Sequence, residues 1–220
     1  MLKERGIREF FVVDDTFTIN RERVIELCKR MIDEKLDIPY KISSRVDRVD
    51  PEILELLAAS GCYTIHYGVE SGSQRILDYI QKGVTLNQVE NAFKDTKAVG
   101  IDRFAYLMMG VPTETRDEVQ RTIDFAARLQ PEFLNYSICT PFPKTYLYEN
   151  ALREGNFEDD YWLEFAKRPD PNFKIKTLNE NMDQDELRNL QDKALRKYYF
   201  SASRVIRELK NTRDLKQLMT

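Results

Sequence analysis

Five times along this chain a short β-rich run is followed by a helical pattern, and that alternation limits the fold more than any other feature. "REFFVVDD" leads to "NRERVIELCKRMIDEK", where Val24, Leu27, Cys28, Met31 and Ile32 recur at helical spacing. "YKISSRV" leads to "DPEILELLAASG", in which Asp50 reads as N-cap, Pro51 as the first helical residue and Gly61 as the stop. "YTIHYGVE" leads to "SQRILDYIQKG" and then "LNQVENAFKDTKAVG". "DRFAYLMMG" leads to "TRDEVQRTIDFAARLQ", and "EFLNYSICTP" to "TYLYENALREG". Such alternation predicts an α/β fold with a parallel sheet and helical crossovers, either an open doubly wound sheet or a (β/α) barrel.

From Asn156 the rhythm stops. The 220 residues therefore divide into a repeating part, 1–155, and an irregular and helical extension, 156–220. "FEDDYWLEFAKRPDPNFKIKTLNEN" reads as irregular. The segment after it reads as one or two helices. Leu195, Tyr199, Ala202, Val205 or Ile206, and Leu209 would form an apolar stripe there. Lys193, Arg196, Lys197, Arg204, Arg207, Lys210 and Arg213 would form a solvated basic face. A docking helix is the favoured reading, over a basic helix that touches RNA, lipid or a partner.

Hydrophobic residues at 42% support a real core, and 32% charged residues a well-solvated surface. A net charge of −3 leaves no global nucleic-acid footprint. No run approaches the ~18 apolar residues of a membrane span, and the first ten residues lack the apolar core of a signal peptide. Cys28, Cys62 and Cys139 lie far apart, which suits a reduced, cytoplasmic protein without a disulfide framework.

In α/β folds ligands bind at the carboxyl ends of the strands. Those ends carry Asp14 and Asp15; Ser43, Ser44, Arg45 and Asp47; Glu70, Ser71 and Ser73; Met108, Met109, Gly110, Pro112 and Thr113; and Ser137, Cys139, Thr140 and Pro141. Carboxylates, an arginine and hydroxyls thus converge on one rim, and Asp14, Asp15, Arg45 and Glu70 are expected to share a site. Strand parity places Ile65, Tyr67, Val69, Leu134, Tyr136 and Ile138 toward the helices. The alternate, small and polar set, which includes His66, Gly68 and Ser137, is expected to face a roomy polar interior, which favours a wide or incomplete barrel. Plainer roles compete. Asp14 or Asp15 caps the next segment, Glu70 pairs with Arg45, His66 is packing, and Met108 and Met109 are core. "GVESGS" is a glycine turn able to seat an anion beside a helix N-terminus.

The combination "FFVVDDTFT … SSRVDRVDPEILELLAASGCYTIHYGVESGSQRIL … AYLMMGVPTETRDEVQRTIDFAARLQPEFLNYSICTPFPKTYLYENA" resembles the radical S-adenosylmethionine (SAM) enzymes. Within them it is most similar to the cobalamin-dependent branch and its methylthiotransferase-like relatives. The resemblance implies a partial (β/α) barrel with SAM across the strand ends. Asp14 and Asp15 would lie beside its methionine part. Ser44 and Arg45 would reach its carboxylate, and Glu70 the ribose or amine. Met108, Met109, Gly110 and Val111 would pack on adenine, and Thr140 would help to close the far side. Thr113 and Lys144 stand where the family has glycine. The family's first strand and its Cys-x-x-x-Cys-x-x-Cys loop are not in the sequence, and the three cysteines are too scattered to replace that loop.

The resemblance therefore implies a fragment of an enzyme whose longer form would use an iron–sulfur cluster, with or without cobalamin, to cleave SAM to a 5′-deoxyadenosyl radical. Cluster and cobalamin are not expected in this chain, which is expected to be inactive alone and to hold no metal. The alternative is a non-catalytic, barrel-derived binding module. A metal-assisted hydrolase or lyase using Asp14, Asp15 and Glu70 ranks last. The expected partners are an unidentified small-molecule substrate and a second copy pairing through the first strand's exposed edge. No membrane or nucleic-acid partner is expected.

Overall fold

A five-stranded sheet in sequence order forms the framework: β1 (Phe10–Val12), β2 (Tyr40–Ser44), β3 (Cys62–Glu70), β4 (Asp102–Met109) and β5 (Phe133–Ile138). The structure is a computed structural model, and it describes residues 5–157, 159–201 and 204. Strands β1 to β4 pair in parallel, with Ile42 opposite both Val12 and Ile65 and Tyr67 opposite Ala105. Strand order equals chain order, which is the topology of a barrel segment rather than of a doubly wound sheet. Among the described residues the edge strand β1 pairs with β2 alone.

The crossovers are helices α1 (Arg21–Asp33), α2 (Pro51–Ala59), α3 (Gln74–Tyr79), α4 (Leu86–Ala98) and α5 (Arg116–Leu129). Local chemistry sets their starts. The Asn20 side chain accepts from the Arg23 N–H at 3.0 Å. Asp50 accepts from Ile53, with Pro51 at the first helical position. Thr85 and Gln88 close a capping box on α4. Neither Asp14 nor Asp15 caps the next segment. That work falls to Asn20, because five residues including a 3-10 turn (Phe17–Ile19) separate Asp15 from α1.

The chain forms two compact units. The first comprises residues up to Met108 together with Asp117–Ser137. The second comprises Met109–Arg116 together with the residues from Ile138 onward. In the first unit the helix-facing set on the strands is buried as parity requires. Ile42, Ile65, Tyr67, Val69 and Ala105 are fully buried, and Leu54, Leu57, Leu77, Val89 and Phe125 from the helices cover them. Each large apolar side chain buried this way contributes about 1.5–3 kcal/mol.

Arg103 shares that buried face at 2% exposure. Its Nε and Nη2 donate to the two Glu132 oxygens at 2.9 and 2.7 Å. Nη1 donates to Phe93 O and Nη2 to Gln130 O. A charge sits among apolar neighbours only because every side of it is paired.

In the second unit, α6 (Tyr146–Arg153), α7 (Tyr161–Lys167) and α8 (Gln184–Tyr199) accompany a loop at Gly110. The segment read as irregular contains α7, which Asp160 caps through the Leu163 N–H. Its aromatic residues join α6 in a small core: Phe157 and Tyr161 are buried with Tyr148 and Ala151 of α6, and Trp162 and Phe173 pack on them. On α8 the buried residues are Leu187 and Ala194. Arg204, assigned above to a solvated basic face, is instead buried, 4.9 Å over the rings of both Tyr198 and Tyr199. Ala202, Val205, Ile206, Arg207, Leu209, Lys210 and Arg213 lie outside the described residues.

Candidate cofactor site at the strand ends

A cavity of about 500 Å³ opens across the carboxyl ends of β1, β2 and β3 in the first unit. Asp14, Asp15, Ser44, Arg45 and Glu70 all line it, and so does Lys82. Its other wall is apolar and aromatic, made by Phe11, Val13, His66 and Tyr106.

Each polar group is held differently. Asp14 accepts from Arg23 Nη2 at 2.8 Å. Asp15 is exposed and has no ion-pair partner among the described residues. Ser44 is buried. Its hydroxyl meets Thr18 Oγ1 at 2.5 Å and donates to the Arg45 carbonyl. Arg45 does not pair with Glu70. Its Nε and Nη2 take the two oxygens of Asp47 at 2.9 and 3.1 Å, and Nη2 also donates to Lys82 O at 2.9 Å. Glu70 instead pairs with Lys82, Nζ to Oε1, at 2.7 Å.

Gly68 explains how that pair lies. A Cβ there would stand 2.6 Å from Glu70 Oε1 and 2.8 Å from Lys82 Nζ, so the two side chains rest directly on the strand backbone. Glu70 itself has φ +63°. The β3–β4 register shifts between Gly68 and Glu70, the signature of a bulge that re-aims a side chain.

The "GVESGS" turn does not seat an anion. Ser71 is buried and leaves the rim, its hydroxyl 3.0 Å from Thr122 Oγ1. The Gly72 N–H donates to Thr122 Oγ1, the Ser73 N–H to Ser71 Oγ, and the Ser73 hydroxyl to Glu118. The Gly72 amide thus docks α5, and the Ser71 and Ser73 amides are taken by Val69 O and Ser71 Oγ. A Cβ on Gly72 would fall 2.7 Å from the Arg121 carbonyl, so glycine is needed for this close approach.

The interior-facing set is more aromatic than polar. His66 stacks on Phe104 at 4.7 Å, tilts against Phe11 at 5.1 Å, and places Nδ1 3.2 Å from the Tyr106 hydroxyl. Burial first, and then the positive charge of Lys41, hold its imidazole below the ordinary value of 6.5.

Met108 is half-buried at the end of β4. Met109, Gly110, Val111 and Thr140 belong to the second unit, where Met109 and Val111 are buried. There Gly110 has φ +82°, and the Glu114 carboxylate accepts from the Gly110 N–H at 2.6 Å. The Thr140 hydroxyl donates to the Ile138 carbonyl.

Cys28 and Cys62 are buried toward the amino end of the sheet, away from the rim. Burial pushes the Cys62 thiol up to about 12. Burial and then the charge of Glu114 push Cys139 up to about 11. Among the described residues no three His, Cys, Asp or Glu side chains stand together to hold a metal ion, and no helix is long and apolar enough to cross a membrane.

Lys82 was missed in the sequence because it does not lie at a strand end. The one local signal is "QKG", a helix stop that projects a cation beyond α3.

Comparison with known proteins agrees with this architecture. Residues 1–126 match the family model of the radical SAM superfamily. An uncharacterised methyltransferase of Pyrococcus horikoshii is 34% identical over 94% of this chain and 44% of its own length. An anaerobic magnesium-protoporphyrin IX monomethyl ester cyclase of Rubrivivax gelatinosus is 26% identical over 91% of this chain and 37% of its own. The chain thus spans less than half the length of these curated relatives. Among solved structures, the radical SAM methyltransferase TsrM of Kitasatospora setae, with cobalamin and a [4Fe-4S] cluster bound, superposes with a TM-score of 0.64. It is 20% identical, and the match covers 70% of this chain and 32% of TsrM. Five strands in barrel order, a polar cavity at their carboxyl ends and these matches lead to one assignment: the chain belongs to the radical SAM superfamily.

Proposed function

We propose that the chain binds S-adenosylmethionine across the carboxyl ends of β1, β2 and β3, as the cofactor-holding part of a radical SAM enzyme that works with cobalamin. The observation that carries this reading is the single cavity onto which Asp14, Asp15, Ser44, Arg45 and Glu70 all open. Its volume lies within the range of small-molecule sites. Its donor set suits the ligand. SAM carries an ammonium, a carboxylate, a sulfonium and ribose hydroxyls, and the rim offers carboxylates, hydroxyls and two cations.

Bound SAM supplies the carbon–sulfur bond whose reductive cleavage is the family's chemistry. The chain's own residues bind and orient it. Asp15, exposed and without an ion-pair partner among the described residues, offers its carboxylate to the ligand's ammonium or sulfonium. Glu70 offers an acceptor for an amine or hydroxyl proton. Ser44, fixed by Thr18, holds the turn that carries Arg45. The aromatic wall of Phe11, His66 and Tyr106 keeps water from one side of the cavity. Met108, at the end of β4 in the first unit, belongs to the same proposal as a wall for the adenine. An iron–sulfur cluster does not fit the cysteines of the described residues, so no reductive step is assigned to them.

The test is calorimetric titration of the purified chain with SAM, beside the Asp15→Asn, Glu70→Gln double variant. We expect saturable binding that the double variant weakens about tenfold or more, the usual effect of losing hydrogen bonds to charged groups. Absence of binding at millimolar SAM, or equal binding by the double variant, would overturn the reading.

A further inference from the structure

Beyond the cofactor, we infer that the aromatic wall of this cavity is a second subsite, built for a flat, conjugated ring system that carries a hydroxyl or N–H group. Calling that ligand the substrate rests on the reading above; the wall itself does not.

Five rings from four strands form one continuous surface in the first unit. Between ring centroids, Phe11 lies 5.1 Å from His66, His66 4.7 Å from Phe104, and Phe104 4.7 Å from Tyr106 and 6.3 Å from Phe133. Phe11 reaches His66 across β2, where the residue opposite His66 is the small Ser43. The planes of His66 and Phe104 differ by 10°, and those of Phe104 and Phe133 by 22°. The surface is not closed over. Phe11, Tyr106 and Phe133 keep 44%, 40% and 46% exposure. A packed barrel fills its interior with interlocking Val, Ile and Leu layers. Stacked rings left open are the lining of a small-molecule site instead.

The neighbouring layers set the direction of entry. Toward the amino ends of the strands, the Tyr63 hydroxyl donates to Glu9 at 2.8 Å, and Lys41 Nζ lies 5.3 Å from the Tyr63 ring centroid, so this polar layer is paired within itself. Toward the carboxyl ends, Phe11, His66 and Tyr106 open on the cavity. Gly68, opposite Tyr106 in the β3–β4 register, adds no side chain there. Phe104 and Phe133 are not part of the cavity lining, so the surface continues past the volume proposed for SAM. A ligand that enters from the rim meets ring faces and edges, and a flat aromatic guest gains more on them than its buried area alone supplies.

His66 and Tyr106 carry the polar atoms of this surface. Their hydrogen bond, Nδ1 to hydroxyl at 3.2 Å, is the one that either side chain makes among the described residues. Whichever of the two donates, one donor and one acceptor are left over for a ligand: Nε2–H and the phenol oxygen, or the phenol O–H and Nε2. Burial, and then Lys41, hold the imidazole below 6.5 and thus neutral at neutral pH.

The probe is 2-naphthol. It is compared with 2-methoxynaphthalene, which lacks the donor, and decahydro-2-naphthol, which lacks the π system. His66 is the sole histidine, so its ring-proton NMR signal reports binding at this wall. The full chain is titrated without SAM, so failure here and failure of the SAM titration are read separately. We expect 2-naphthol to shift the signal saturably. It should bind about fivefold tighter than decahydro-2-naphthol, through stacking, and about fivefold tighter than 2-methoxynaphthalene, through the hydrogen bond. Tyr106→Phe, which keeps the ring, should abolish the second preference and keep the first. Phe11→Leu should reduce the first preference and keep the second. Melting curves control the fold, and Phe133→Leu, at another exposed ring, measures the first preference again. No saturable shift at millimolar 2-naphthol, equal binding of the three compounds, or a Tyr106→Phe variant that still prefers 2-naphthol to its ether would overturn the inference. So would adenosine that shifts the signal as strongly as 2-naphthol, because the wall would then serve the cofactor's base.

Discussion

Replacing Glu132 by glutamine should cost this protein more stability than any comparable change on its surface. Arg103 is 2% exposed, and its guanidinium has no route to water. Glu132 supplies the only carboxylate paired with it among the described residues, through Nε and Nη2 and through the Arg103 backbone N–H at 2.9 Å. The substitution keeps the shape and removes the charge. It also turns an amide N–H₂ toward a donor. Removing one partner of a buried pair costs about 3–5 kcal/mol, because the other charge stays behind unpaired. With a urea dependence of about 1–3 kcal/mol per molar, the unfolding midpoint should fall by at least about 1 M.

Far-UV circular dichroism in urea is the assay. A loss below about 1 kcal/mol would refute the reasoning, since it would mean that the guanidinium is hydrated or re-paired. Acid provides a second arm. Burial works to raise the Glu132 carboxyl, but the Arg103 hydrogen bonds and charge outweigh it and hold the group below 4.5 in the folded state. Its contribution is therefore complete above the unfolded pKa of about 4.3 and is lost as pH falls through the lower folded value. Glu132→Gln should flatten stability against pH in that window.

His66 is the sole histidine, so its ring protons give an unambiguous NMR titration. The midpoint should lie below 6.5, because burial and Lys41 disfavour the imidazolium, and stability should drop as pH falls from 6.5 through that midpoint; a midpoint at or above 6.5 would contradict the stacked, half-buried placement. Lys144 is held at φ +67° where the resemblance expects glycine. Lys144→Gly should relieve about 1–2 kcal/mol of left-handed strain against about 0.5–1 kcal/mol of added chain entropy, so thermal melting should stay level or rise, and a clear fall would show that the Lys144 side chain holds something in place.

The strand–helix alternation was legible because burial follows parity. Ile65, Tyr67 and Val69 face the helices and are fully buried, as their spacing requires. The helix starts at Asp50 and Pro51 were legible because capping is local chemistry. Arg103 was not. Parity places it with Ala105 and Leu107 on the buried face, but its partners are one carboxylate 29 residues away and three carbonyls. Nothing in its own neighbourhood announces them. The aromatic floor was misjudged for a similar reason. Phe11, His66, Phe104 and Tyr106 come from three strands, and each reads alone as an ordinary strand residue.

Where local rules fail together, the reason is tertiary, and the failures point to the site. Lys35, Gln81 and Gln130 have positive φ just beyond the ends of α1, α3 and α5, where a left-handed residue commonly closes a helix. Glu70 is different. It ends a strand at φ +63°, beside a register shift, and rests on a glycine whose missing Cβ makes room for its own carboxylate. A non-glycine residue in that conformation persists only if its surroundings over-determine it. Here they do so through Lys82, which a turn held by Arg45 delivers to the same spot. Three irregularities that would each weaken a purely structural strand converge on one carboxylate facing one cavity. Sequence logic breaks in this way where a fold gives up local stability to aim a functional group.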